Sequence, residues 1–392
     1  MFGEEIEGFE IRVHDDIVED LHRRLVATRL PDQIEGTGWE YGTPVDYVRD
    51  LVEYWRDRYD WRAQEARLNQ LPHFRTRIDG QSIHFVHARS QRKDAVPLLI
   101  VHGWPGSIVE FLDVIPRLAH PDAHGGDSAD TFHVIAPSLP GYGLSEPTRT
   151  PGWDAARIAR AFMELMRRLG YTRYGAQGGD WGAQVATRIG SLDPDHCAAI
   201  HLNMPIADRP KDPVPMTDED QADLAAMAQF SREESAYAQL QGTKPQTLGA
   251  ALNDSPAGLL AWIVEKFRAW SDCDGHPENA FTRDQLLTNV MLYWVTQTIT
   301  PSIRLYWELQ HSGEGSLPFV AVPTGVGRYP KEVIRFPRAW VERRYNLTHW
   351  SVMPRGGHFA AMEQPELFVD DLRAFFRPFR PSRPIEPGLA GQ

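Results

Sequence analysis

Cysteine is nearly missing from this chain. Only Cys197 and Cys273 occur in 392 residues, too few for a disulfide framework or a zinc-ribbon cluster. That fits a reducing compartment. Long apolar runs are missing too, since no stretch reaches the about 18 residues that a bilayer span needs. The first ten residues carry four Glu and no Lys or Arg, so the positive and apolar segments of a signal peptide are lacking. Positive charge is in deficit, with 41 Lys and Arg against 53 Asp and Glu and a net charge of −12. Phosphate backbones repel such a chain, which argues against nucleic acid as a partner. The 31 Gly and 30 Pro follow no period, which removes collagen-like and low-complexity readings. What is present, 42% apolar and 24% charged residues, suffices for a folded core. The default is a cytoplasmic globular protein without a membrane anchor.

Periodicity divides the chain. Residues 1–72 read as a helical region. Asp15 opens a helix with Ile17, Leu21 and Leu25 on one face, and Thr43 is an N-cap with Pro44 at the first helical position. Residues 73–203 alternate strand and helix, as in a parallel sheet covered on both faces. Asp79-Gly80 marks a hairpin between His73–Ile78 and Ser82–Ala88. Val96–Val101, Phe132–Ala136, Tyr174–Gln177 and Cys197–Leu202 read as strands, and Ala155–Leu169 and Ala183–Ile189 as helices. Ser107 and Glu110 have the spacing of a capping box. Residues 204–316 form a helical insertion after a proline-marked linker. Strands return at Leu317–Val322 and His349–Met353, and residues 317–392 complete the sheet with a helix at Pro365–Phe376 and a proline-rich tail.

The chemistry gathers at strand ends. Gly178-Gly179-Asp180-Trp181-Gly182 has small residues two positions either side of Asp180. A nucleophile elbow needs that, because a side chain pushed out of a sharp strand-to-helix turn leaves no room beside it. Taken alone, the stretch also fits a glycine-rich turn with a capping Asp. No Ser has Gly at both −2 and +2, so the chain offers no serine elbow. The order on such folds is nucleophile, acid, histidine. His358, in Arg355-Gly356-Gly357-His358-Phe359, follows the last strand. Glu332 is the first acid beyond the preceding strand, 152 residues after Asp180 and 26 before His358. Glu342 is its rival, in a segment that reads as a solvated helix face. His102-Gly103-Trp104-Pro105 sits where an oxyanion hole takes its second donor, so the backbones of Trp104 and Trp181 are the expected pair.

On these stretches, with Ala251-Leu252-Asn253-Asp254-Ser255-Pro256 and Val322-Pro323-Thr324-Gly325, the chain resembles the microsomal-type epoxide hydrolases of the α/β-hydrolase superfamily. The resemblance runs from the helical N-terminal region to Phe376. It implies an α/β-hydrolase fold with a helical lid, and opening of an epoxide to a vicinal diol. It assigns Asp180 as nucleophile, Glu332 and His358 as the charge pair, and two lid tyrosines as donors to the epoxide oxygen. Tyr306 matches one tyrosine position closely, and Tyr237 fits the other. The implied partners are a small epoxide and water. No metal or organic cofactor is required, and a homodimer stays open. Detoxification and catabolism of aromatic hydrocarbons are the implied settings. Two other readings stand beside it. A haloalkane dehalogenase uses the same kind of Asp-Trp nucleophile but needs no paired tyrosine acids. A degenerate hydrolase scaffold would bind without turnover.

Overall fold

The computed structural model describes residues 5–313 and 318–380. Its centre is a sheet of nine strands among the described residues, in the order β1-β2-β3-β5-β4-β6-β7-β8-β9. The strands are β1 Glu7–Phe9, β2 His73–Ile78, β3 Gln81–Ala88, β4 Val96–Val101, β5 Phe132–Pro137, β6 Tyr174–Gly178, β7 Cys197–Leu202, β8 Val320–Arg328 and β9 Tyr345–Val352. The first three pair antiparallel, and all pairs from β5 to β9 are parallel. Asp79 and Gly80 close the β2–β3 hairpin at φ of 51° and 74°, the doubly positive turn that suits the strand twist. Strand β4 has β5 on one side and β6 on the other. The chain therefore reverses direction across the sheet at β4, and a crevice opens at the carboxyl ends of β4 and β6. The loops after these two strands are the ones that carry His102 to Trp104 and Gly179 to Asp180.

Before the sheet lie α1 Asp15–Val26, α2 Val45–Asp57 and α3 Trp61–Leu68. Sheet-covering helices are α4 Ile115–Ala119, α5 Ala155–Arg168 and α6 Asp180–Leu192. Between β7 and β8 come α7 Asp218–Glu233, α8 Ala236–Thr243, α9 Pro245–Leu252, α10 Pro256–Trp270, α11 Arg283–Thr296 and α12 Ile299–His311. Helices α13 Arg338–Arg344, α14 Ala360–Glu363 and α15 Pro365–Phe376 follow. One apolar core runs through all three regions, from Leu51 and Trp55 in α2 to Leu99 in β4 and Phe267 in α10. Burying each such large side chain stabilises the fold by about 1.5–3 kcal/mol. The N-terminal helices also strap the insertion down. Arg24 donates to the carbonyl and the carboxylate of Asp254 at 2.7 Å, and Tyr54 to Asp284 at 2.9 Å.

Several boundaries differ from the sequence reading. Pro44 is itself the N-cap of α2, and the Thr43 hydroxyl donates to the Ala261 carbonyl across the interface at 3.0 Å. Leu21 and Leu25 are buried, but Ile17 is 37% exposed because it borders a groove between α1 and α9. Helix α6 begins at Asp180 and not Ala183, since the turn after β6 passes directly into helical backbone. Strand β8 extends to Arg328, and β9 begins at Tyr345, paired with Val320. Leu317 and the tail beyond residue 380 lie outside the described residues.

Candidate active site

Strand β6 delivers Gly178, and the next turn sets Asp180 at φ 48°. That left-handed conformation is costly for a residue with a Cβ and persists only where its surroundings enforce it. The surroundings here leave no space for larger neighbours. A Cβ on Gly178 would lie 2.1 Å from the Gly182 carbonyl carbon, and one on Gly182 would lie 1.9 Å from the Val101 oxygen. Asp180 Oδ1 accepts the Trp104 N–H at 2.8 Å. Its carboxylate also sits at the N-terminus of α6, where the helix dipole favours negative charge. Trp181 is next in the chain, and a first-turn amide has no acceptor within its own helix. The Trp104 N–H is thus the backbone donor bonded to the carboxyl group.

His358 lies on the loop between β9 and α14. Its Nε2 is 3.4 Å from Asp180 Oδ2, and its Nδ1 is 2.8 Å from Glu332 Oε1. Glu332 is 1% exposed, and its Oε1 also accepts the Val333 N–H at 2.7 Å. Burial works against the imidazolium, but the flanking Glu332 and Asp180 carboxylates outweigh it. They hold His358 well above its ordinary pKa. Glu342 is elsewhere, on the exposed face of α13, bonded to Arg338 at 2.8 Å.

Two phenols cover this arrangement from the lid. Tyr237, on α8, stacks on Trp104 with centroids 5.3 Å apart and rings 10° from parallel. Tyr306, on α12, stands edge-on to Trp104 at 5.9 Å and to Trp181 at 4.9 Å. The two tyrosine rings are 5.9 Å apart. Burial raises the pKa of both and keeps them protonated. The seven side chains and backbones singled out from the sequence thus stand around one crevice: Asp180, Glu332, His358, Tyr237, Tyr306, Trp104 and Trp181.

Comparison with known proteins bears on this geometry. Residues 6–111 match the model of the epoxide hydrolase N terminus, and residues 96–257 match that of the alpha/beta hydrolase fold. Epoxide hydrolase 1 of Sus scrofa is 40% identical over 95% of this chain and 88% of its own. The chain belongs to the epoxide hydrolases of the α/β-hydrolase fold. The crystal structure of juvenile hormone epoxide hydrolase from the silkworm Bombyx mori superposes with TM-score 0.87, at 36% identity over 96% of this chain and 95% of that one. The epoxide hydrolase of Aspergillus niger gives 0.85, at 33% identity over 95% and 96%.

This epoxide hydrolase opens epoxides with water, and further residues shape its site that sequence reasoning missed. The end of α10 grips the histidine loop. The Trp270 carbonyl accepts the His358 N–H at 2.9 Å, and Asp272 Oδ2 accepts the Gly356 N–H at 2.9 Å. Glu363 bridges the two segments by accepting from Asp272 and Phe359 N–H groups, and burial pushes its pKa up to about 7. A Cβ on Gly357 would come within 2.6 Å of the Trp270 oxygen. In sequence Trp270 reads only as part of an apolar stripe, and nothing marks Glu363. A chamber of about 20 Å³ lies below Asp180, bordered by Gly103, Glu110, Gln177, Asn203 and His358. The expected Ser107–Glu110 capping box forms only in part, with the Glu110 carboxyl toward the Ser107 N–H. The Ser107 hydroxyl accepts from Val109 N–H and not from Glu110 N–H, and Glu110 borders the chamber. Among the described residues no helix is long and apolar enough to cross a membrane.

Proposed function

We propose that this epoxide hydrolase works in two covalent steps on Asp180. The observation that carries the reading is the placement of one carboxyl group between Trp104 N–H at 2.8 Å and His358 Nε2 at 3.4 Å, beneath two buried phenols. In the first step an Asp180 oxygen attacks an epoxide carbon. A carbon–oxygen bond forms to Asp180 as the ring carbon–oxygen bond breaks, and Tyr237 and Tyr306 give hydrogen bonds and then a proton to the opening oxygen. The product is a hydroxyalkyl ester. In the second step water loses a proton to His358 and attacks the ester carbonyl. Trp104 and Trp181 N–H groups stabilise the tetrahedral oxyanion. The ester bond then breaks, the departing alkoxide takes the proton back from His358 to complete the diol, and the proton left on the Asp180 carboxyl replaces the one the tyrosine gave up, which restores the starting charges.

The charges support this order. With Asp180 ionised, His358 lies between two carboxylates that favour its protonated form. Esterification removes one of them, so the His358 pKa falls just when a base is needed. Glu332 remains to orient the ring and stabilise the imidazolium as it forms. The aromatic walls of Trp104, Tyr237, Trp270 and Tyr306 suit an apolar epoxide substituent.

The test is a single turnover of styrene oxide in ¹⁸O-water. The two-step reading expects the label in Asp180 after one turnover, with the diol carrying it only in later rounds. Label in the first-turnover diol means direct attack by water and overturns the covalent reading. Asp180→Asn removes the nucleophile at near-constant shape, and diol formation is expected to vanish while the fold persists by circular dichroism.

A further inference from the structure

We propose that Lys266 is a positioning residue for the first step: its ammonium stands over the Tyr237 ring and balances the charge left when Tyr237, and not Tyr306, gives its proton to the opening epoxide oxygen. The inference rests on the two-step mechanism with tyrosine donors.

Lys266 lies on the apolar face of α10, one turn before Trp270, and is 5% exposed. A lysine is almost never buried so deeply unless its charge is paired. Two kinds of partner meet this one. The Glu265 carboxylate pairs with Nζ. Nζ also stands over the Tyr237 ring, 4.7 Å from its centroid, and 5.9 Å from the centroid of Trp270. The electron-rich face of a ring attracts an ammonium at that distance, and more strongly where water is excluded. Trp104, whose N–H bonds Asp180, stacks on the same Tyr237 ring at 5.3 Å. The phenol that this cation faces is therefore one of the two above the nucleophile.

Negative charge moves during alkylation. Asp180 starts as a carboxylate and ends as a neutral ester. The ring carbon–oxygen bond breaks, its electron pair goes to the epoxide oxygen, and that oxygen takes the proton of one phenol. A phenolate then remains until the Asp180 carboxyl returns a proton after ester hydrolysis. The two phenols are not equivalent for this task. Burial, first, and the Asp180 charge, second, hold Tyr237 above the ordinary phenol value, while its hydrogen bond with Tyr306 favours the phenolate. Burial raises Tyr306 too, and there the Tyr237 charge is the next cause and adds to the rise. Once Asp180 is esterified its charge no longer opposes a phenolate at Tyr237. Glu265 also works against that phenolate, and Lys266 is the cation paired with it. The rings beside Tyr306 are Trp104, Trp181 and Tyr237, and the ammonium stands over Tyr237.

Lys266→Met removes the charge and keeps an unbranched stem. Single turnovers of styrene oxide with excess enzyme, followed by rapid quench and intact-protein mass spectrometry, give the rates of both steps. Alkylation is expected to slow about 5- to 30-fold, the rate equivalent of a buried cation–π contact. Ester hydrolysis is expected to keep the wild-type rate. Tyr237→Phe leaves the ring under the ammonium and removes only the hydroxyl. In that background Lys266→Met is expected to change alkylation by less than about twofold, whereas in Tyr306→Phe it should cost at least as much as in the wild type. A lysine that merely props the lid slows alkylation equally in all three backgrounds, or slows both steps, and either result overturns the inference. So does wild-type alkylation in Lys266→Met. Lys266→Gln removes the same charge, leaves Glu265 a hydrogen-bond partner, and carries the same test if Lys266→Met does not fold. Slow alkylation in Tyr237→Phe without any effect of the lysine variants tells against Lys266 alone. Wild-type alkylation in Tyr237→Phe defeats the tyrosine reading itself, and the inference with it, which is a distinct result.

Discussion

Replacing Tyr306 with Phe removes one hydroxyl and little else. The ring keeps its edge contacts with Trp104 at 5.9 Å and Trp181 at 4.9 Å, and the site stays 8% exposed. Stability should hardly move, because the phenol oxygen faces the crevice and the ring area remains buried. A loss of about 1 kcal/mol would lower Tm by only a few degrees in a chain of this size. In the proposed mechanism alkylation is the step that develops charge on the epoxide oxygen. Losing one preorganised donor there should cost about 10²–10³ in its rate. Tyr237→Phe should act on the same step. The double variant should fall further but short of the product of the singles, since the rings stand 5.9 Å apart and the remaining donor compensates in each single. In the proposed mechanism ester hydrolysis depends on His358 and the backbone donors, so it should stay near the wild-type rate. Rapid-quench trapping of the ester from styrene oxide measures the first step, and decay of the purified ester measures the second. The reasoning is refuted if Tyr306→Phe alkylates at the wild-type rate. It is refuted equally if the loss falls on hydrolysis. Wild-type alkylation in Tyr237→Phe alone would leave Tyr306 as the donor and make Tyr237 a stacking partner of Trp104.

Two further outcomes are expected. Glu332→Gln should slow ester hydrolysis more than alkylation, because an amide orients His358 but stabilises the imidazolium less; Glu342→Gln, exposed on α13, should leave both steps unchanged in single-turnover kinetics. Acid should also weaken the fold in two stages. Burial lowers the pKa of His102 and His87 to about 4, so each contributes stability that is complete above the ordinary histidine value of 6.5 and declines as pH falls from there toward 4. For the fully buried His102 this amounts to about 3 kcal/mol. Burial would raise Asp371, but hydrogen bonds from His201 at 2.9 Å, His349 at 2.7 Å and Ser351 at 2.6 Å win and hold it well below the ordinary carboxylate value. Its share is therefore present at neutral pH and is lost only below about pH 4. Denaturant titrations of wild type and Asp371→Asn from pH 3 to 8 check this. A stability difference that does not shrink toward pH 3 would refute the Asp371 assignment.

The parts that could be read from the chain are those whose cause is local. Glycines two residues either side of Asp180 follow from contacts within the turn and with the adjoining strand, so the motif carries its own geometry. Asp79-Gly80 marks its hairpin because both residues must take positive φ. Glu332 could be preferred to Glu342 because chain order places it just past a strand end, where this fold keeps polar groups. The choice of Tyr237 and Tyr306 from 12 tyrosines came only with the family resemblance, since helical spacing does not separate a core ring from a lid donor. What the sequence could not express is which distant surfaces meet. Ser107 and Glu110 have capping-box spacing, but spacing does not tell that the Glu110 carboxyl is buried on the wall of a chamber beside His358. Trp270 reads as one more apolar position, yet its carbonyl holds His358 N–H, a backbone contact that leaves no trace in residue type. Glu363 joins the insertion to the histidine loop through the amides of Asp272 and Phe359, 87 positions apart in the chain (359 − 272). Local sterics are written residue by residue. The burial that raises a carboxyl's pKa, and the partner that satisfies it, exist only after the chain has folded.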